Sequence, residues 1–212
     1  PHAAYHTARL IKVFVVGLTL WATVYLALLG TLGFDNPITR MAGFFSGAAL
    51  LTFGGAYAVL PYVYEASVNQ YHWLSPGQMI DGLALGETTP GPLIMIVAFV
   101  GLVGGWQTDA LAASLGPGHL FASAVLAASV ATWFTFLPSF VFILAGGPLV
   151  EATRDDLRLT APLTGITAAV VGVILNLALF FAFHVLWPTG FAGNFEWPAA
   201  LIGTASVIAL LR

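Results

Sequence analysis

The 212-residue sequence has no cysteine and very little charge. Without cysteine there is no disulfide, no thiolate-ligated zinc and no thiol nucleophile, and redox chemistry gives no argument about compartment. Charged residues make up 7% of the chain, against about 25% in a soluble domain, which excludes a water-soluble fold. The six basic and nine acidic residues leave a formal charge of −3. No Lys/Arg run provides a footprint for nucleic acid or a polybasic lipid anchor. Between Arg40 and Arg154 there is no Lys or Arg at all, so an anion held in that stretch must be held by dipoles, hydroxyls and amides. His2, His6, His72 and His119 fall in terminal or loop segments without His-x-x-x-His spacing, and neither a zinc site nor any cofactor is expected. Ser139 with His184 offers no recognisable nucleophile–base signature, so the chain does not read as an enzyme. No initiator Met or cleavable signal pattern precedes Pro1, and the expectation is a processed or partial chain.

What is present is apolar. The chain is 59% hydrophobic with a mean hydropathy of +0.93, the composition of an integral membrane protein. Six apolar segments follow one another: 10–32, 41–64, 76–106, 120–144, 163–186 and 198–211. A vertical crossing needs about 20 residues, which the first, fourth and fifth supply, while the last is about one third short. The third is too long for one straight crossing. Its start carries a capping signature, with Ser75 as N-cap, Pro76 at the first helical position and Gln78 closing a capping box. Arg9, Lys12, Arg154 and Arg158 lie on one side whether segments two and three both cross or both dip in and return, and that side is expected to be cytoplasmic. Trp73, Trp106, Trp187 and Trp197 fall near segment ends, as an aromatic belt would, and His184 near a helix end is expected at the interface.

Segments two and three each carry an interruption, Thr52-Phe53-Gly54-Gly55 in one and Thr88-Thr89-Pro90-Gly91-Pro92 in the other. In lipid an unpaired backbone group costs several kcal/mol, so a broken helix persists only where protein or a polar cavity surrounds it. Paired interruptions are the strongest sequence pointer to a transport site. Pro90 and Pro92 lack an N–H and clash with the carbonyls four residues back, which ends the helix from Pro76 near Glu87. Thr89 precedes a proline, is pushed to an extended conformation and suits an N-cap for a new half-helix. Free N–H groups at Gly91 and Leu93 then offer an anion site with an effective charge of about +0.5. The bland alternative is a proline-kinked helix with no ligand. The pairs Gly43/Gly47, Gly82/Gly86 and Gly101/Gly105 point first to close helix packing. Glu87, an intramembrane acid, is a proton-coupling or gating candidate, with capping of neighbouring N–H groups as the plain reading. Asn176 is a pathway candidate that could equally bond between helices. Asp81 reads as an interfacial or dipole-favoured acid.

The runs GAALLTFGGAYAVLPYV (47–63), WLSPGQMIDGLALGETTPGPLIMIVAFVG (73–101), TWFTFLPSF (132–140) and GITAAVVGVILNLA (165–178) resemble the chromate ion transporter family, most closely the C-terminal half of its long two-domain members. The combination of TFGG with TPGP is far more specific than a lone Pro-Gly-Pro. The resemblance implies a bacterial inner-membrane protein that exports chromate, an analogue of sulfate. Members pair two homologous halves, each with such a motif, and only one is present here. Residues 1–212 are thus expected to form a single domain with a broken-helix core over 41–106, one half of a transporter. Its partner would be a homologous N-terminal half or a second copy, in a dimer. The expected fold is all-α, with five to six transmembrane or re-entrant helices. Its two breaks hold the oxyanion through Thr52, Phe53, Gly54, Gly55, Thr88, Thr89, Pro90, Gly91, Pro92 and Leu93. An anion channel, a carrier of sulfate or another oxyanion, and a non-transporting membrane subunit stay open as alternatives.

Overall fold

The computed structural model describes residues 2–51, 56–89, 93–152, 160–188 and 190–211. Helices account for nearly all of these, and no strand occurs among them, in keeping with an all-α membrane protein. The order is α1 His2–Leu32, α2 Pro37–Leu51, α3 Ala56–Tyr64, a π-helical turn Glu65–Gln70, α4 Pro76–Thr88, a 3-10 turn Leu93–Met95, α5 Ile96–Thr108, α6 Ala112–Leu115, α7 Leu120–Ala152, α8 Thr160–Leu186 and α9 Trp197–Leu210. Ala8–Leu32 and Leu120–Gly147 are long and apolar enough to cross a membrane. The 27 residues of α8 reach about 40 Å at ~1.5 Å per residue.

Segments two and three each fold into a helical hairpin with its two arms side by side, the shape of a segment that enters and returns. In the second, the rings of Phe44 on α2 and Tyr62 on α3 lie 5.1 Å apart. These residues stand about equally far from the short connection between the two helices, which therefore run antiparallel. In the third, Gln107 Nε2 donates to Gln78 Oε1 at 2.7 Å and the Phe99 ring covers Gly82, so α4 and α5 are antiparallel as well. Each of these two has 13 residues, about 20 Å of helix against a hydrocarbon core of roughly 30 Å. Both hairpins are rooted on the same side. Asn36 Oδ1 accepts from Ile38 N at 2.9 Å to cap α2, while its Nδ2 donates to Ala110 O just past α5 at 2.6 Å.

The long helices frame the hairpins. α1 runs antiparallel to α2, with Trp21 Nε1 donating to Ser46 Oγ at 2.8 Å. It is also antiparallel to α7, where Phe134 meets Trp21 and Tyr25 edge-on and Val141 sits against Gly17. α8 returns along α3, with Phe180 and His184 against Tyr64. The N-terminus of α1 and the C-terminus of α7 therefore share one side. The loops at 33–36, 71–75 and 109–119 share the other.

α5 packs on the backbone of α7, and glycine permits it. A Cβ on Gly101 would stand 2.7 Å from Ala127 O, and one on Gly105 would stand 2.5 Å from Ser123 O. Gly43 by contrast faces Tyr25 Oη at an ordinary 3.7 Å, and nothing lies within 4 Å of a Cβ on Gly47. Trp73 departs from the expected interfacial belt. Trp73 N and Leu74 N both donate to Ser67 O, at 2.7 and 3.2 Å, folding the chain back so that the indole is 2% exposed. It lies between Phe45 and Tyr71. Trp106 and Trp197 are exposed as a belt requires.

Candidate functional site

The deep ends of the two hairpins are neighbours, because α3 packs against the 3-10 turn Leu93–Met95. Thr52, Phe53, Gly54, Gly55, Pro90, Gly91 and Pro92 lie outside the described residues, so the site is defined by what flanks them. On one flank α4 begins with the expected capping box. Ser75 Oγ accepts from Gln78 N at 3.3 Å, and Gln78 Oε1 accepts from Ser75 N at 2.9 Å. Glu87 lies about 16 Å along the axis from Pro76, a length equal to about half of a hydrocarbon core.

α4 ends at Thr88, and Thr89 is extended at φ −91°, ψ 127°, as its position before a proline demands. Its hydroxyl points backward, however. Thr89 Oγ1 donates to Leu85 O at 2.6 Å and Thr88 Oγ1 to Ala84 O at 2.9 Å. Both side chains thus close the C-terminal turn of α4, while Gly91, whose N–H a Thr89 cap would take, lies outside the described residues. Leu85 O already accepts from Thr89 N at 3.0 Å, so the hydroxyls add further donors to carbonyls of the last helical turn. Leu93 opens the 3-10 turn that leads into α5, and it directs the N-terminal end of that helix toward the break.

Glu87, Thr88 and Thr89 are all exposed on the chain, and Glu87 has no hydrogen-bond or ion-pair partner among the described residues. Asn176 is exposed too. It lies one helical turn before Phe180, whose ring stands 5.0 Å from Tyr64 at the far end of α3, and it is not brought to the hairpin ends by any described contact. His184 is not a solitary interfacial group, since its ring packs on Phe180 and Tyr64 and its Nδ1 lies 2.8 Å from Phe180 O. Sequence reasoning had no signal for this, because the pairing of α3 with α8 joins segments more than one hundred residues apart. A groove of about 630 Å³ opens beside Met95 and is lined by Ser129, Thr132, Trp133 and Phe136. Its hydroxyls donate to Val125 O and Ala128 O, which leaves an apolar surface unsuited to an oxyanion. No group of three or more His, Asp or Glu side chains suited to a metal occurs among the described residues.

The family described as chromate transporter matches residues 39–212, the stretch that contains both hairpins and the long helices behind them. The chain belongs to the chromate transporter family. Its curated relatives include a chromate transport protein of Pseudomonas aeruginosa, 40% identical over 127 residues, covering 60% of this chain and 26% of the relative. A second, from Cupriavidus metallidurans, is 30% identical over 179 residues, covering 84% of this chain and 38% of the relative. An uncharacterized transporter of Bacillus subtilis is 43% identical over 77 residues, covering 34% of this chain. Those 77 residues are 43% of the Bacillus protein, which is therefore shorter than the present chain. The chain spans well under half the length of the two chromate transport proteins. No solved structure matches it.

Proposed function

We propose that this member of the chromate transporter family is one half of a transporter that exports chromate across a bacterial inner membrane. A homologous half or a second copy of the chain would complete it. The observation that supports this reading is the meeting of two re-entrant hairpins, rooted on one side, whose connecting residues are the TFGG and TTPGP motifs. The 3-10 turn before α5 packs on α3, and the helix N-termini that follow the two motifs would face a common site. In a low-dielectric setting their combined dipoles favour an oxyanion without a permanent cation to trap it. The names of the Pseudomonas and Cupriavidus relatives, both chromate transport proteins, favour chromate over sulfate as the substrate. Thr52–Gly55 and Thr88–Leu93 form the binding shell, with the threonine hydroxyls turning from the α4 carbonyls to the anion when it arrives. Glu87, at the same depth, is the coupling group.

The distribution of basic residues orients the molecule. Arg9 and Lys12 lie at the end where α7 stops and α8 starts, and in sequence Arg154 and Arg158 fall between those two helices, which favours this end as the cytoplasmic one. The hairpins then enter from the opposite side. For a dianion leaving an inside-negative cell the membrane potential supplies about 4.6 kcal/mol at 100 mV, so export needs no coupling ion to be downhill. Chromate flux in proteoliposomes under imposed voltage and pH gradients tests the reading. Voltage-driven flux that also responds to a pH gradient supports coupled transport through Glu87. Flux indifferent to the pH gradient makes the protein a channel, and no flux from the paired assembly overturns the proposal.

A further inference from the structure

Away from the hairpins, α1 and α7 enclose a groove of about 810 Å³ on the side of the α1 N-terminus. Along its length it is apolar, lined by Val13, Val16 and Leu20 from α1 and by Leu137, Phe140 and Leu144 from α7. At its mouth stand Arg9 and Lys12, two of only six basic residues in the chain. Spaced three apart, they share one helix face. Among the residues whose side chains are described, neither has a carboxylate partner, the one ion pair there being Arg40 with Asp35, and none of those lining the groove is acidic. The packing contact of Gly17 with Val141 holds the two helices together along the floor.

We infer that this groove is a binding site for an anionic glycerophospholipid, with the phosphate at Arg9 and Lys12 and one acyl chain laid between α1 and α7. Two features select this occupant. The charge at the mouth is complementary to a lipid phosphate, and basic pockets between membrane helices recognise such headgroups. The groove's depth also matches one leaflet: Arg9 to Leu20 is about 16 Å of helix, against about 15 Å for half of a hydrocarbon core. A free inorganic phosphate has no use for the apolar walls, and a neutral lipid has none for the paired cations. The site is independent of the anion-transport reading, because it lies on the other end of the molecule and uses none of the same residues.

Trp133 lines the groove and is 39% exposed, which makes it a reporter. The full chain is reconstituted in phosphatidylcholine vesicles containing phosphatidylglycerol brominated on its acyl chains. The Trp133 signal is taken as the difference between the chain and its Trp133→Phe variant. Brominated phosphatidylglycerol should quench at a lower mole fraction than brominated phosphatidylcholine. At about 1 kcal/mol per cation, Arg9→Gln or Lys12→Gln should each reduce that preference about 5-fold, and the double variant ~30-fold. The charge-preserving pair Arg9→Lys and Lys12→Arg should retain it. Both cations are exposed, so the fold is not at stake in these changes. Equal quenching by the two lipids overturns the inference, as does a preference that survives the double variant. Relief of quenching by millimolar inorganic phosphate would assign the cations to a free anion and overturn it as well.

Discussion

At the scale of single residues, two kinds of position behave differently from what their type suggests. Gly105 and Gly47 are both helical glycines in small-residue patterns, yet only Gly105 faces a neighbouring backbone. Its added Cβ would meet Ser123 O at 2.5 Å, and a carbonyl inside α7 cannot move aside as a side-chain end can. Gly105→Ala should therefore cost about 1–3 kcal/mol, read as a lowered melting temperature in detergent, while Gly47→Ala should cost nothing measurable. Glu87 is the other case. It is exposed on the chain near the end of α4, and within a membrane an acid that does nothing is expensive. A carboxylate at that position would oppose a dianion held in the proposed site, so Glu87→Gln should strengthen chromate binding. If Glu87 only caps neighbouring N–H groups, the variant should instead lose stability, read as a lowered melting temperature, with no gain in chromate affinity.

At the scale of elements, the hairpins carry the next prediction, and the absence of cysteine makes it easy to test. Phe34, Gln70 and Ser114 are exposed, and they lie respectively before the first hairpin, between the two and after the second. Single substitutions Phe34→Cys, Gln70→Cys and Ser114→Cys should all react with a membrane-impermeant maleimide from the same face of a sealed vesicle, and Lys12→Cys from the other. Labelling of Gln70→Cys from the Lys12 face would mean that the second segment crosses. The start of α4 was legible in the sequence because a capping box is local: Ser75, Pro76 and Gln78 specify it within four residues. The end of α4 was legible for the same reason, since a proline restricts the residue before it. Whether the segments cross was not, because that is decided by Gln78 meeting Gln107 and Phe44 meeting Tyr62, contacts that composition does not encode. The three glycine pairs likewise look alike in sequence, and only the helix that each one faces distinguishes Gly101/Gly105 from Gly43/Gly47. Trp73 misled for a related reason. Its place near a segment end predicts an interface, but the π-helical turn before it returns the chain to the core, where Gly104 leaves room for the indole.

At the scale of the whole molecule, the exposed polar groups on the hairpin side argue about completeness. α4 packs on α5 and on the 3-10 turn, and its opposite face presents Asp81, Leu85 and Thr88 in a stripe at helical spacing, with Glu87 beside it, all exposed. Hydrocarbon is a poor neighbour for such a face, whereas a second hairpin pair or a water-filled vestibule between two halves is a good one. Relatives of this chain include both a much longer chromate transport protein and a shorter Bacillus protein, so the proposed second half could come from the same chain or from another. The expectation is that chromate flux requires two such domains. Reconstitution at a protein-to-lipid ratio that isolates single chains should lower the flux per chain at least tenfold, and a tandem fusion of two copies or of this chain with its homologous half should restore it under the same dilution. Asp81→Cys should form a crosslink between domains in the active preparation, since α4 lies on the surface that pairing covers. Full flux per chain from isolated single domains would show that one hairpin pair suffices, and the stripe on α4 would then have to face water that the chain itself encloses.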